Sequence, residues 1–168
     1  MTTWHLHQGY PAPGNSLQNF LAAGLLGAGD TIQLDSGYSV DEAAGVGVSW
    51  VDDVTLECAT GDAADAICTF SNSGAATGVY AIYIGNVSGW TIRNITVRYT
   101  GTETDDCGCI DIQTSADTMT LEDLILETTA NGVTYYGEDA IIRRVSAIST
   151  GTTSGSTDSQ GIFENSND

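Results

Sequence analysis

The sequence contains no lysine, only four arginines (Arg93, Arg98, Arg143 and Arg144), only two prolines, and no apolar run long enough to span a bilayer. Each shortage closes off a class of function. Four cations in 168 residues cannot neutralise a row of phosphates, so nucleic-acid binding through counterion release is excluded. A helix that crosses a membrane needs about 20 consecutive apolar residues, so membrane insertion is not expected. The start, Met1-Thr-Thr-Trp4-His5-Leu6-His7, lacks the basic and apolar regions of a signal peptide. Neither Cys58/Cys68 nor Cys107/Cys109 has the spacing of a zinc ribbon, a zinc finger or a Cys-x-x-Cys redox pair. These thiols read as small buried side chains, with a Cys58–Cys68 disulfide the expectation for an oxidising compartment.

What the chain has instead is acid and small polar residues. Asp and Glu number 22, the formal charge is −18, and Thr, Ser and Gly make up a third of the chain. At about 0.1 M salt the Debye length is about 10 Å and such a surface repels itself; at about 1 M it falls to about 3 Å. A lysine-free surface this acidic resembles those of proteins from extreme halophiles.

A repeat sets the fold class. Val51-Asp-Asp-Val54-Thr-Leu56, Ile92-Arg-Asn-Ile95-Thr-Val97, Leu121-Glu-Asp-Leu124-Ile-Leu126 and Ile142-Arg-Arg-Val145-Ser-Ala147 share one template: apolar, two polar, apolar, variable, apolar. A second strand-like run precedes each of the last three, and Ile82, Ile110, Val133 and Ile162 are its equivalent positions. Hairpins would place a turn signal every 8 to 12 residues or so. Two short β-branched strands in each longer unit instead describe parallel strands stacked coil on coil, each coil burying its apolar face against the next.

Charges test the register. Position two of the template carries Asp52, Arg93, Glu122 and Arg143; position three carries Asp53, Asn94, Asp123 and Arg144; the residue after it is Glu57, Arg98, Glu127 or Ile148. Every arginine then faces an acid in an adjacent coil, as cross-strand pairs require. The long step from Val51 to Ile92 leaves room for an extra coil built on Ala66–Phe70, in which case Asp52 and Arg93 are not neighbours.

Ser16 is suited to cap a helix, and Leu17, Phe20, Leu21, Leu25 and Ala28 follow at helical spacing. The expected organisation is an arm over 1–15, a capping α-helix over 16–28 and one parallel β-helix domain over 29–168. The helix, then Gly29-Asp-Thr-Ile-Gln-Leu-Asp-Ser-Gly-Tyr38, then units such as Val79–Val97 resemble the pectin-lyase-like superfamily across roughly residues 16 to 166. That resemblance implies an all-β, single-stranded, right-handed parallel β-helix solenoid. It says little about activity, because the superfamily holds lyases, hydrolases, tailspikes and passive structural proteins.

The lyase branch implies calcium held by clustered acids and a basic proton acceptor, whereas all four arginines already have ladder partners. The polygalacturonase branch implies Asn-Thr-Asp, Asp-Asp, Gly-His-Gly and Arg-Ile-Lys, of which only Asp-Asp occurs, at 52–53 and 105–106. Glu103, Asp105 and Asp106 form an acidic loop with three readings: solvated surface, a Ca²⁺ site, or half of a carboxyl pair with Asp111. His5 and His7 fall on one side of a strand, as metal ligands would, with no third ligand near them. Tyr83, Asp111, Thr134 and Phe163 are expected to line one outward column with Tyr136 close by, a surface for a partner or for sugar rings. No second capping helix follows the last strand, and an uncapped edge invites pairing.

Short β-helices of this kind resemble virion components such as capsid decoration, turret and tailspike-type modules. The expected function is a non-enzymatic structural protein on the surface of a virus of a halophilic host, extracellular as part of the particle. Expected partners are other virion proteins, own copies (a trimer favoured) or cell-surface glycans, with no cofactor unless Ca²⁺. A carbohydrate-binding or polysaccharide-cleaving β-helix is the alternative, and an acidic nucleic-acid mimic, which leaves the repeat unexplained, is a third class.

Overall fold

The computed structural model describes residues 1–7, 16–42, 46–48, 51–71, 80–101, 107–113, 115–137, 139–149 and 162–164. Among them the secondary structure is almost all strand, and every strand pairing is parallel. The chain enters through β1 (Thr3–Leu6) and α1 (Leu17–Ala22). It continues as β2 (Thr31–Leu34), β3 (Tyr38–Glu42) and β4 (Val46–Val48), then β5 (Thr55–Cys58), β6 (Ala66–Phe70) and β7 (Tyr80–Ile84). The next pass is β8 (Thr91–Arg93), β9 (Thr96–Tyr99) and β10 (Gly108–Ile112), followed by β11 (Thr120–Thr128) and β12 (Asn131–Tyr135), then β13 (Ile141–Ser149) and β14 (Ile162–Glu164).

From β2 onward each pass visits three stacks in the same order. The first stack runs β1-β2-β5-β8-β11-β13, the second β3-β6-β9-β11-β13, and the third β4-β7-β10-β12-β14. β11 serves both of the first two, pairing with β8 through Thr120–Glu122 and with β9 through Ile125–Thr128.

Stacking in register turns the apolar positions into ladders. Trp4, Ile32, Leu56, Ile92, Leu121 and Ile142 form the first. Val40, Cys68, Val97, Leu126 and Ala147 form the second. In the third stack Ile82, Ile110, Val133 and Ile162 are equivalent, as the repeat predicts. The inner members are fully buried, each contributing about 1.5–3 kcal/mol.

One expected equivalence is wrong. Leu56, not Val51, sits beside Ile92, and the rung before Val97 is Cys68. Ala66–Phe70 is therefore its own rung, reached through a 3₁₀ turn at Ala63–Asp65. The error has a physical cause, because two corners of the coil use the same short word. A left-handed residue precedes the first stack at Gly29, Asp53, Gly89, Thr118 and Asp139, and another precedes the second stack at Asn94, Asp123 and Arg144, all with φ between 52° and 79°. Asn, Asp and Gly tolerate that region best, so "apolar, polar, Asp or Asn, apolar" marks both turns.

The start of the chain also departs from expectation. The 1–15 arm contains β1, which is the first rung of the first stack. The helix ends at Ala22, because Gly24 turns left-handed (φ 64°) a full turn before Ala28, and Leu25 is exposed. Ser16 caps it as expected, its hydroxyl accepting from Asn19 N at 3.1 Å. Leu17, Phe20 and Leu21 are buried, with the Phe20 ring 5.5 Å from that of Trp4. Buried Asp30 ties this end together by accepting from Gly27 N (3.0 Å), Trp4 Nε1 (3.1 Å) and Thr2 N (2.6 Å). Those donors hold its carboxyl below the ordinary range.

Candidate functional site

The third stack brings the expected column together. Tyr83 on β7 is in register with Asp111 on β10, Asp111 with Thr134 on β12, and Thr134 with Phe163 on β14. The column is not the open strip that the sequence suggests. Asp111 is 3 % exposed and Thr134 2 %, whereas Tyr83 is 41 % exposed and Tyr136 half-buried. Gln113 Nε2 donates to Asp111 Oδ2, and Thr134 Oγ1 lies 3.0 Å from Tyr80 Oη. Two of the polar groups expected to meet a sugar are thus engaged within the protein.

The other candidates fare differently. Glu103, Asp105 and Asp106 lie outside the described residues. Cys58 and Cys68 are buried on consecutive strands of one pass, with no disulfide between them. Cys109, likewise in no disulfide, is pushed up to about 12 by burial, so it is no nucleophile at neutral pH. His5 Nδ1 is 3.0 Å from Asp35 Oδ1, and no group of three His, Cys, Asp or Glu among the described residues is arranged to hold a metal. None of the described helices is long and apolar enough to cross a membrane.

The arginines build the most regular surface feature. In the first stack the column runs His5, Gln33, Glu57, Arg93, Glu122, Arg143. Gln33 Nε2 donates to Glu57 Oε1 (2.8 Å), and Arg93 Nη2 lies 2.6 Å from Glu57 Oε2. Arg143 and Arg144 both bond Glu122, Arg144 also bonds Asp123, and Arg98 bonds Glu127. The Arg143 guanidinium first, then Arg144, holds the Glu122 carboxyl below its usual range, and Arg144 does the same for Asp123. Arg93 with Glu57 replaces the expected Asp52 and Arg98 contacts, as the corrected register requires. Exposed pairs of this kind are worth about 0–1 kcal/mol each, so their main effect is to select one register.

The last rung is where the surface changes character. In the Thr3, Thr31, Thr55, Thr91, Thr120 column it carries Ile141, and after Thr69, Arg98 and Glu127 it carries Ile148. Both isoleucines are outward and exposed, at 55 % and 47 %. Ile142 and Val145 are only partly buried and Ala147 is exposed, while Leu121, Leu124 and Leu126 one rung earlier are covered. Sequence reasoning noted the uncapped edge but not these outward residues. The signal was Ile148 interrupting a polar column.

Comparison with known proteins returned no match to any family, curated protein or solved structure.

Proposed function

We propose that this chain is a non-enzymatic structural protein, a right-handed parallel β-helix that docks through its open last rung onto a larger assembly. The observation that carries this reading is the apolar last rung: Ile141 and Ile148 stand exposed where earlier rungs carry polar residues. Lone exposed apolar residues need no explanation, but several on one strand edge mark a contact surface. The acid excess supports a halophilic setting, and the surface of a virus particle is the assembly that the resemblance favours, the chain acting as a decoration, turret or tailspike-type module. Other proteins of the particle suit the open rung best, and docking there needs no cofactor.

An apolar dye tests the reading. In 2 to 3 M salt the dye should brighten on the native chain, and Ile141→Asp/Ile148→Asp should abolish that signal without lowering the melting temperature. No dye binding, or binding that survives the double variant, would overturn the reading. Exposed Tyr83 supports the second reading, a carbohydrate contact. Polysaccharide binding or cleavage that disappears in Tyr83→Ala would place it first.

A further inference from the structure

We propose that the free edge of β13 receives a parallel β-strand of another protein, one that carries acidic residues opposite Arg143 and Arg144. The inference rests on the docking reading above and names the partner's chemistry. β13 pairs with β11 along one edge, and among the described residues no strand occupies the other. A free edge offers a row of backbone donors and acceptors, which makes strand addition the natural mode of recognition.

Charge identifies what should arrive there. Arg93 lies in register between Glu57 and Glu122, with an acid on each side. Among the described residues Arg143 and Arg144 have acids on one side only, Glu122 and Asp123, and they are two of the four arginines in a chain without lysine. The alternation along this column, Glu57, Arg93, Glu122, Arg143, calls for an acid next. The partly buried Ile142 and Val145 call for apolar residues flanking it. A strand patterned apolar, acid, acid, apolar meets both demands, and Leu121-Glu-Asp-Leu124 of β11 already meets them from the other side.

A second copy of this chain fits poorly. Two β13 edges paired antiparallel about Arg144 would gather both arginine pairs at the dyad, where like charges opposite one another destabilise. Head-to-tail stacking would set Arg143 on His5 of the next copy, because His5 holds that column in the first rung, and among the described residues Ile148 would meet no second-stack strand there, since β1 lies one rung before β3. Neither arrangement supplies the missing acid.

The test uses the full chain, at the lowest salt that keeps it folded, and two fluorescent nine-residue peptides. One copies Thr120–Thr128 of β11, and the other has Arg-Arg in place of its Glu-Asp. Fluorescence anisotropy should show one-to-one binding of the acidic peptide, at least tenfold tighter than the basic one. Arg143→Glu/Arg144→Glu should reverse that preference, and Arg143→Gln/Arg144→Gln should erase it, with circular dichroism confirming that both variants are folded. Equal binding of the two peptides, or no binding, would overturn the inference. So would a dimer or trimer in light scattering that Ile148→Asp returns to monomer, because a second copy would then hold the edge. Absence of the dye signal on the native chain, or its survival in Ile141→Asp/Ile148→Asp, defeats the docking reading itself; the expected dye result without peptide preference defeats only this inference.

Discussion

Leu121→Ala is expected to cost about 3–5 kcal/mol of folding free energy, near the upper part of the range for truncating a buried leucine. Leu121 is fully buried and stacked between Ile92 and Ile142, so neighbours on both sides hold the cavity open. At about 2–4 °C per kcal/mol for a domain of this size, the melting temperature should fall by about 10 °C. Ile142→Ala removes a similar side chain from the same ladder one rung later, where it has one ladder neighbour among the described residues and is only partly buried, and should cost about 1–2 kcal/mol. Thermal unfolding followed by circular dichroism in 3 M salt measures both. Equal costs would mean that Ile142 is covered in solution and that the end of the stack is not open.

Moving from dilute buffer to 3 M salt should raise the melting temperature by about 10–20 °C. Two opposing effects are at work. Salt weakens the arginine–carboxylate ladder, but those exposed pairs contribute only about 0–1 kcal/mol each. It also screens the repulsion among a net 18 negative charges, which presses on the whole compact state. The second effect is the larger, so salt should stabilise. Identical melting temperatures in the two solvents would remove the halophilic part of the functional reading.

Much of this architecture could be read from the sequence, for reasons visible in single residues. Ile82, Ile110, Val133 and Ile162 were identifiable because each lies in a short strand-like run that recurs in every unit, and those runs pair in register. The pairs Glu122–Arg143, Asp123–Arg144 and Arg98–Glu127 followed from three charge columns of one template. Asp53 defeated the pattern, because its left-handed turn opens the first stack while Asn94, with a similar φ, opens the second. Local sequence records that a corner is needed, not which corner it is. The functional column failed differently: alternation places Asp111 and Thr134 on the outer face, but burial of that face depends on what else packs there.

The steps between bonded rungs differ along the chain: 24 residues for Gln33–Glu57, 36 for Glu57–Arg93, 29 for Arg98–Glu127 and 21 for Glu122–Arg143. Closing the shortest of these loops costs about 0.5 kcal/mol less entropy than closing the longest. The shortest step also joins the two longest strands, β11 and β13, so the cheapest closure gives the greatest number of backbone bonds. Folding should therefore nucleate between these two strands and propagate back toward β1, opposite to the order of synthesis. Pulse-labelled hydrogen exchange during refolding would show amides of 121–128 protected first, and early protection of 31–34 would refute that order. A nucleus beside the docking edge would make the attachment surface the first part of the molecule to become competent.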